Sequence, residues 1–168
     1  MATKAPEDVQ IHSIHIRAPR QKVWDELTRT DAVLPFYFET SLDAEWKPGG
    51  RFRFYGHGRD WIHGEVVEFS PISRFVHTFR FTHLDEPPQK VVFELAEEDG
   101  GTRVTVRHES LAMAPQHAKS VKGGWPHILK NLKAILERGK LPLATRLQYT
   151  LMKVMMPFAP KPKTAARA

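Results

Sequence analysis

The stretch from Gly123-Gly124-Trp125-Pro126 to Gly139 constrains the fold more than any other part of the chain. Leu129, Leu132 and Leu136 recur at three- and four-residue intervals, with Trp125 one turn earlier. That spacing makes one apolar stripe on a helix and puts Lys130, Lys133 and Glu137 on its other faces. Gly139 stands where such a helix stops. From Val9 to Ser110 the chain reads mainly as short strands. A single long helix after a run of strands has to cover a sheet, because neither element can bury its apolar face alone. A curved sheet closed over one helix encloses a cavity, and what fills it is the functional question.

Residues 9–17 alternate loosely as a first strand, and Ala18-Pro19 opens a short helix through Val23, Trp24 and Leu27. Asp31 to Phe38, interrupted by Pro35, predicts a second short helix or a turn. Residues 41–46, 51–55, 61–69, 74–81, 90–97 and 102–110 predict strands, punctuated by Pro48-Gly49-Gly50, Gly56 to Asp60, Pro71, Asp85 to Pro88 and Asp99-Gly100-Gly101. The long helix begins near Pro115, and Pro126 predicts a kink because it lacks a helical N–H. Residues 143–156 predict a further helix in which Leu143, Leu147, Leu151 and Met155 recur every four residues. The remainder, with Pro157, Pro160 and Pro162 among Lys and Ala, is predicted to be disordered.

The division at Gly139 is also a division of charge. Residues 140–168 hold six basic residues and no acid, which accounts for the whole net charge of +6. Taking those six from 25 leaves 19 basic against 19 acidic residues in 1–139. The basic balance of the chain therefore gives no reason to expect a nucleic-acid-binding domain. The chain reads as a domain over 1–139 with a basic extension over 140–168. Without cysteine there is no disulfide, thiolate nucleophile or zinc–thiolate site. No apolar run of about 20 residues and no secretory signal is visible, so a cytoplasmic location is expected. His57, Asp60 and His63 straddle a hairpin loop and do not share a strand face, so no metal site is expected.

Strand alternation predicts the cavity face. Phe52 and Phe54 point inward together, as do Phe75, His77 and Phe79, and His108 with Val104 and Val106. If Val67 and Phe69 point in, so do Trp61, His63 and Glu65, unless a bulge reverses the parity; Gly64 is one place for it. Phe93, Trp125 and Leu129 complete the candidate lining. Apolar walls with a few polar anchors suit a small-molecule site. His63, Glu65, His77 and His108 could orient a ligand or move protons; each also reads as a buried polar group satisfied by its neighbours.

The punctuation carries a resemblance. Ala18-Pro19 with Val23-Trp24, Pro48-Gly49-Gly50 with Phe52, Gly64-Glu65-Val66-Val67-Glu68 before Pro71 and Arg74-Phe75, Gly100-Gly101-Thr102-Arg103-Val104, and Gly124-Trp125 occur in this order. The set resembles the START-like (SRPBCC) superfamily over residues 9–139, and within it the AHSA1-like branch named after the activator of Hsp90 ATPase. Phe36-Tyr37 departs from that pattern, where the family often has Trp. The resemblance implies an α+β helix-grip fold (START/Bet v 1-like): a curved antiparallel sheet around a long C-terminal helix, with an internal cavity. Fold alone does not choose among ligand carriers, cyclases and co-chaperones. The expectation is non-catalytic binding of a small, largely apolar molecule, with no cofactor and no residue assigned to catalysis. The alternatives are an Hsp90-type co-chaperone or protein-binding module, and a cyclase- or hydratase-like enzyme on a polyketide-like substrate. The extension reads either as a basic amphipathic surface for a membrane or partner protein, or as a helix docked by its apolar side on its own domain or in a homodimer.

Overall fold

Two tight turns set the pairing of the sheet. His57-Gly58 and Asp99-Gly100 both have positive φ at both positions, at 52° and 77° and at 46° and 71°. That is the two-residue hairpin geometry whose twist matches the flanking strands. The structure, a computed structural model, describes residues 8–110 and 113–155. Its strands are β1 (Asp8–Ile16), β2 (Val33–Leu34), β3 (Thr40–Ala44), β4 (Arg51–Gly56), β5 (Arg59–Ser70), β6 (Arg74–Phe81), β7 (Gln89–Glu98) and β8 (Gly101–Ser110). The helices are α1 (Arg20–Thr28), α2 (Pro115–Arg138) and α3 (Leu143–Met155). All strands pair antiparallel in the order β1-β8-β7-β6-β5-β4-β3-β2. The architecture is the α+β helix grip, with the sheet curled around α2. Asp31 to Phe38 contains the short β2 and a turn rather than a helix.

The helix α2 runs 24 residues through Gly123, Gly124 and Pro126. It buries Val121, Trp125, Ile128, Leu129, Leu132 and Leu136 on one side. Gly139 ends it in the left-handed region (φ 71°), with its N–H donating to Ile135 O at 2.8 Å. α1 closes another part of the concave face, where Trp24 packs against Phe69 and Phe75.

Lys133 lies off the leucine stripe, as its spacing predicts, and its Nζ donates to His15 O at 2.6 Å and to Glu137 Oε1 at 2.7 Å. Glu137 also accepts from Arg17 N–H at 2.8 Å, and these partners hold its carboxyl down to about 2. The pair thus ties the end of α2 to the β1–α1 junction. The expected docking of the extension by its apolar side is corrected: α3 packs through its polar side. Thr145 and Tyr149 are its buried residues, while Leu143, Leu147, Leu151, Val154 and Met155 are exposed. The expected disorder beyond Pro157 lies outside the described residues.

Leu132 is fully buried between helix and sheet. Leu132→Ala is expected to lower stability by about 2–5 kcal/mol in urea denaturation, through lost transfer energy and the cavity left behind. A loss below about 1 kcal/mol would mean that this face of α2 is not packed on the sheet.

Candidate functional site

A cavity of about 500 Å³ opens between the concave face of the sheet and the middle of α2. Glycine makes room for it. Gly124 borders it, and a Cβ built there would meet no atom within 4 Å, so α2 leaves open space one residue before Trp125. Phe54, Ile62, Phe79 and Phe81 form the sheet wall, and Val121, Trp125 and Ile128 form the helix wall. Phe38 and Thr40 from the segment around β3, Met152 from α3, and Arg59, His57 and Ser120 complete the rim. Beneath it lies a void of about 10 Å³, enough for one water at most, lined in part by Phe52, Phe75, His77 and Phe93. Tyr37, Phe54 and Trp125 border both spaces. Tyr37 stacks on Phe54 at 3.9 Å between centroids, and burial pushes its hydroxyl pKa up.

The lining differs from the sequence reading at β5. Two register shifts in β5 each insert one residue. Phe54 pairs with Ile62 but Tyr55 with Asp60, so Trp61 is extra. Val66 pairs with His77 but Glu68 with Val76, so Val67 is extra. Between the two bulges Ile62 and Val66 point inward and are buried, while His63, Glu65 and Val67 are exposed. These three were expected inside and are not. His63 instead meets Asp60 at 3.0 Å on the outer surface. Gly64 carries no bulge. It stands so close to β6 that a Cβ would lie 1.9 Å from Thr78 O. Trp61 reaches the cavity rim, with its indole N–H donating to Gly56 O at 3.0 Å and Arg59 stacked over its ring.

Of the other expected residues, Phe54, Phe79 and Trp125 line the large cavity. Phe52, His77 and Phe93 line only the inner void, and Leu129 is core between helix and sheet. His108 is fully buried behind the cavity wall. The Trp125 indole N–H donates to His108 Nδ1 at 3.1 Å. An indole only donates, so Nδ1 is the bare nitrogen and Nε2 carries the proton, which it gives to Gln89 Oε1. Burial and the nearby His77 and His12 push His108 down to about 3. His77 stacks on Phe52 at 3.8 Å and donates from Nδ1 to Thr78 O at 2.8 Å; burial pushes it down to about 4. Both rings are therefore neutral structural groups near neutral pH. Sequence reasoning placed Trp61 inward but missed Tyr37, Phe38, Ile62 and Phe81. The aromatic run Phe36-Tyr37-Phe38 was a signal of sorts, since a turn has little use for three rings unless they are packed.

The family model described as activator of Hsp90 ATPase homolog 1-like protein matches residues 17–137, and the chain belongs to that family. Its fold is that of the START-like superfamily. Among solved structures, DynU16, described as a protein in the dynemicin biosynthetic locus, superposes with a TM-score of 0.68 at 24% identity. That match covers 81% of this chain and 49% of DynU16, about half its length. The Aha1 dimer from Colwellia psychrerythraea gives 0.66 at 21% identity, covering 79% and 98%. CalU16 from Micromonospora echinospora gives 0.65 at 20%, covering 92% and 90%. Coverage of 92% is about 155 of the 168 residues, more than the 138 that end with α2, so this likeness continues past the long helix. No curated protein matches the sequence.

The buried histidines make stability depend on pH. Each binds a proton near 6.5 when unfolded but only near 4 or 3 when folded. Between those values the unfolded chain holds more protons, so stability is complete above about pH 6.5 and falls as the pH drops. From pH 7 to 5 the loss should be about 1–2 kcal/mol per ring in urea denaturation. His108→Gln should remove one ring's share of that loss, with His77 and the likewise lowered His12 and His127 supplying the rest. Equal stability of the unaltered protein at pH 7 and 5 would contradict neutral, buried rings.

Proposed function

We propose that the cavity binds a small, largely apolar molecule and does not transform it. The observation that carries this reading is the space itself: about 500 Å³ walled by Phe54, Phe79, Phe81 and Trp125, within the usual range for small-molecule sites. Arg59 and His57 stand on its rim, so a ligand with an apolar body and one polar or anionic end fits best. His108, bonded to Trp125 and Gln89, holds the wall together, and His77 lines only the small inner void, so neither of these buried histidines lines the large cavity. That weighs against a cyclase or hydratase acting there on a polyketide-like substrate, although one structural neighbour comes from the dynemicin biosynthetic locus. A cytoplasmic location goes with this reading; among the described residues no helix is long and apolar enough to cross a membrane.

A second reading rests on the family's description and on the dimeric Aha1 neighbour: a protein partner, such as an Hsp90, or a second copy of the chain. Calorimetric titration with an Hsp90 tests it separately from the cavity.

The cavity reading is tested by filling the space. Gly124→Leu projects a side chain into it from a helical position, where replacing glycine also favours the helix by up to about 1 kcal/mol. An anionic aminonaphthalene dye should bind the unaltered protein with one-to-one stoichiometry and raise its Tm. The variant should keep or exceed the original Tm without dye and lose most of the dye binding. Undiminished binding to the variant would show that the dye sits elsewhere and that the cavity is not the site.

A further inference from the structure

We propose that the outward apolar face of α3 docks onto an anionic phospholipid surface. The helix is turned the opposite way from an ordinary surface helix. At about 100° per residue, Thr145, Tyr149 and Met152 share one side, and Leu143, Leu147, Leu151 and Val154 lie roughly opposite. The first side is committed. Thr145 Oγ1 donates to Asn131 Oδ1 at 2.9 Å, and Tyr149 Oη lies 3.3 Å from His127 Nε2. Burial, with Glu39 nearby, raises Tyr149 to about 12, so the hydroxyl keeps its proton. Lys153 bonds to Glu39 at 2.9 Å. These contacts hold the leucines away from the domain: Leu143, Leu147, Leu151 and Val154 are 59–68% exposed.

Charge identifies the occupant. Arg146 is exposed beside this face and Lys140 is exposed just before the helix begins, and the sequence from 140 to 168 adds further Lys and Arg without one acid. Apolar side chains bordered by cations suit the interface of an anionic bilayer, where long basic side chains reach headgroups while the leucines enter the acyl boundary. A second copy fits less well. A 13-residue helix is about 20 Å long and offers a few hundred Å². A stable dimer needs about 800 Å² from each partner, and a two-fold contact here would bring the basic borders together. The inference stands apart from the cavity reading, though Met152 on the inner side of the same helix touches the cavity.

The test is flotation of the full chain with vesicles of phosphatidylcholine alone and with phosphatidylglycerol added to about a third. Binding should appear with the anionic vesicles and fall several-fold when salt rises from about 0.1 to 0.5 M. Leu147→Glu with Leu151→Glu should reduce it at least about tenfold, with Tm unchanged because both positions face water. Arg146→Glu alone, also at an exposed position, should weaken it several-fold and keeps the test open if the double variant does not fold. Absence of flotation overturns the proposal, as does equal binding to both vesicle types. So does a dimer in sedimentation velocity that the double variant makes monomeric, which would give this face to a second copy.

Discussion

The hydrogen bond from the Trp125 indole to His108 is the tie on which the site depends. It joins the middle of α2 to β8, and through Gln89 it reaches β7. All three side chains are buried, so each satisfies a polar group that would otherwise be left unpaired. The bond also fixes the indole as the partition between the small void and the large cavity, in edge contact with Tyr37 and Phe93. A single helix cannot fill the concavity of an eight-stranded sheet. Trp125 fills one part, and Gly124 beside it leaves another open.

The layout was legible where one pattern decided the outcome. The leucine stripe located α2 and its end at Gly139; strict alternation placed Phe52 and Phe54, and Phe75, His77 and Phe79, on one face. Positions 61–67 were not legible, because an inserted residue leaves alternation on either side intact while reversing its phase. Trp61 and Val67 are two such insertions, and His63 and Glu65 between them face water as a result. The orientation of α3 was hidden for another reason. Amphipathic spacing shows that a helix has two faces, not which one docks. Hydrogen bonding decides it here, through Asn131, a buried polar residue on the far side of α2 from the sheet-facing leucines.

Membership in the activator of Hsp90 ATPase homolog 1-like family fixes the scaffold, and similarity near 20% to solved structures adds the same fold and no more. The rim of the cavity is built from the Phe38–Glu39 corner, where two consecutive non-glycine residues have φ of 53° and 54°, and from α3, which clamps that corner through Lys153.

Binding of a small apolar molecule requires the cavity to be open and apolar. A crystal structure of the protein under xenon pressure measures this directly, because xenon enters preformed apolar space and leaves filled or polar space alone. Xenon is expected against Phe54, Phe79 and Trp125, with the Trp125–His108 bond unchanged. Side chains collapsed into that volume, or a cavity free of xenon and filled with hydrogen-bonded water, would contradict it.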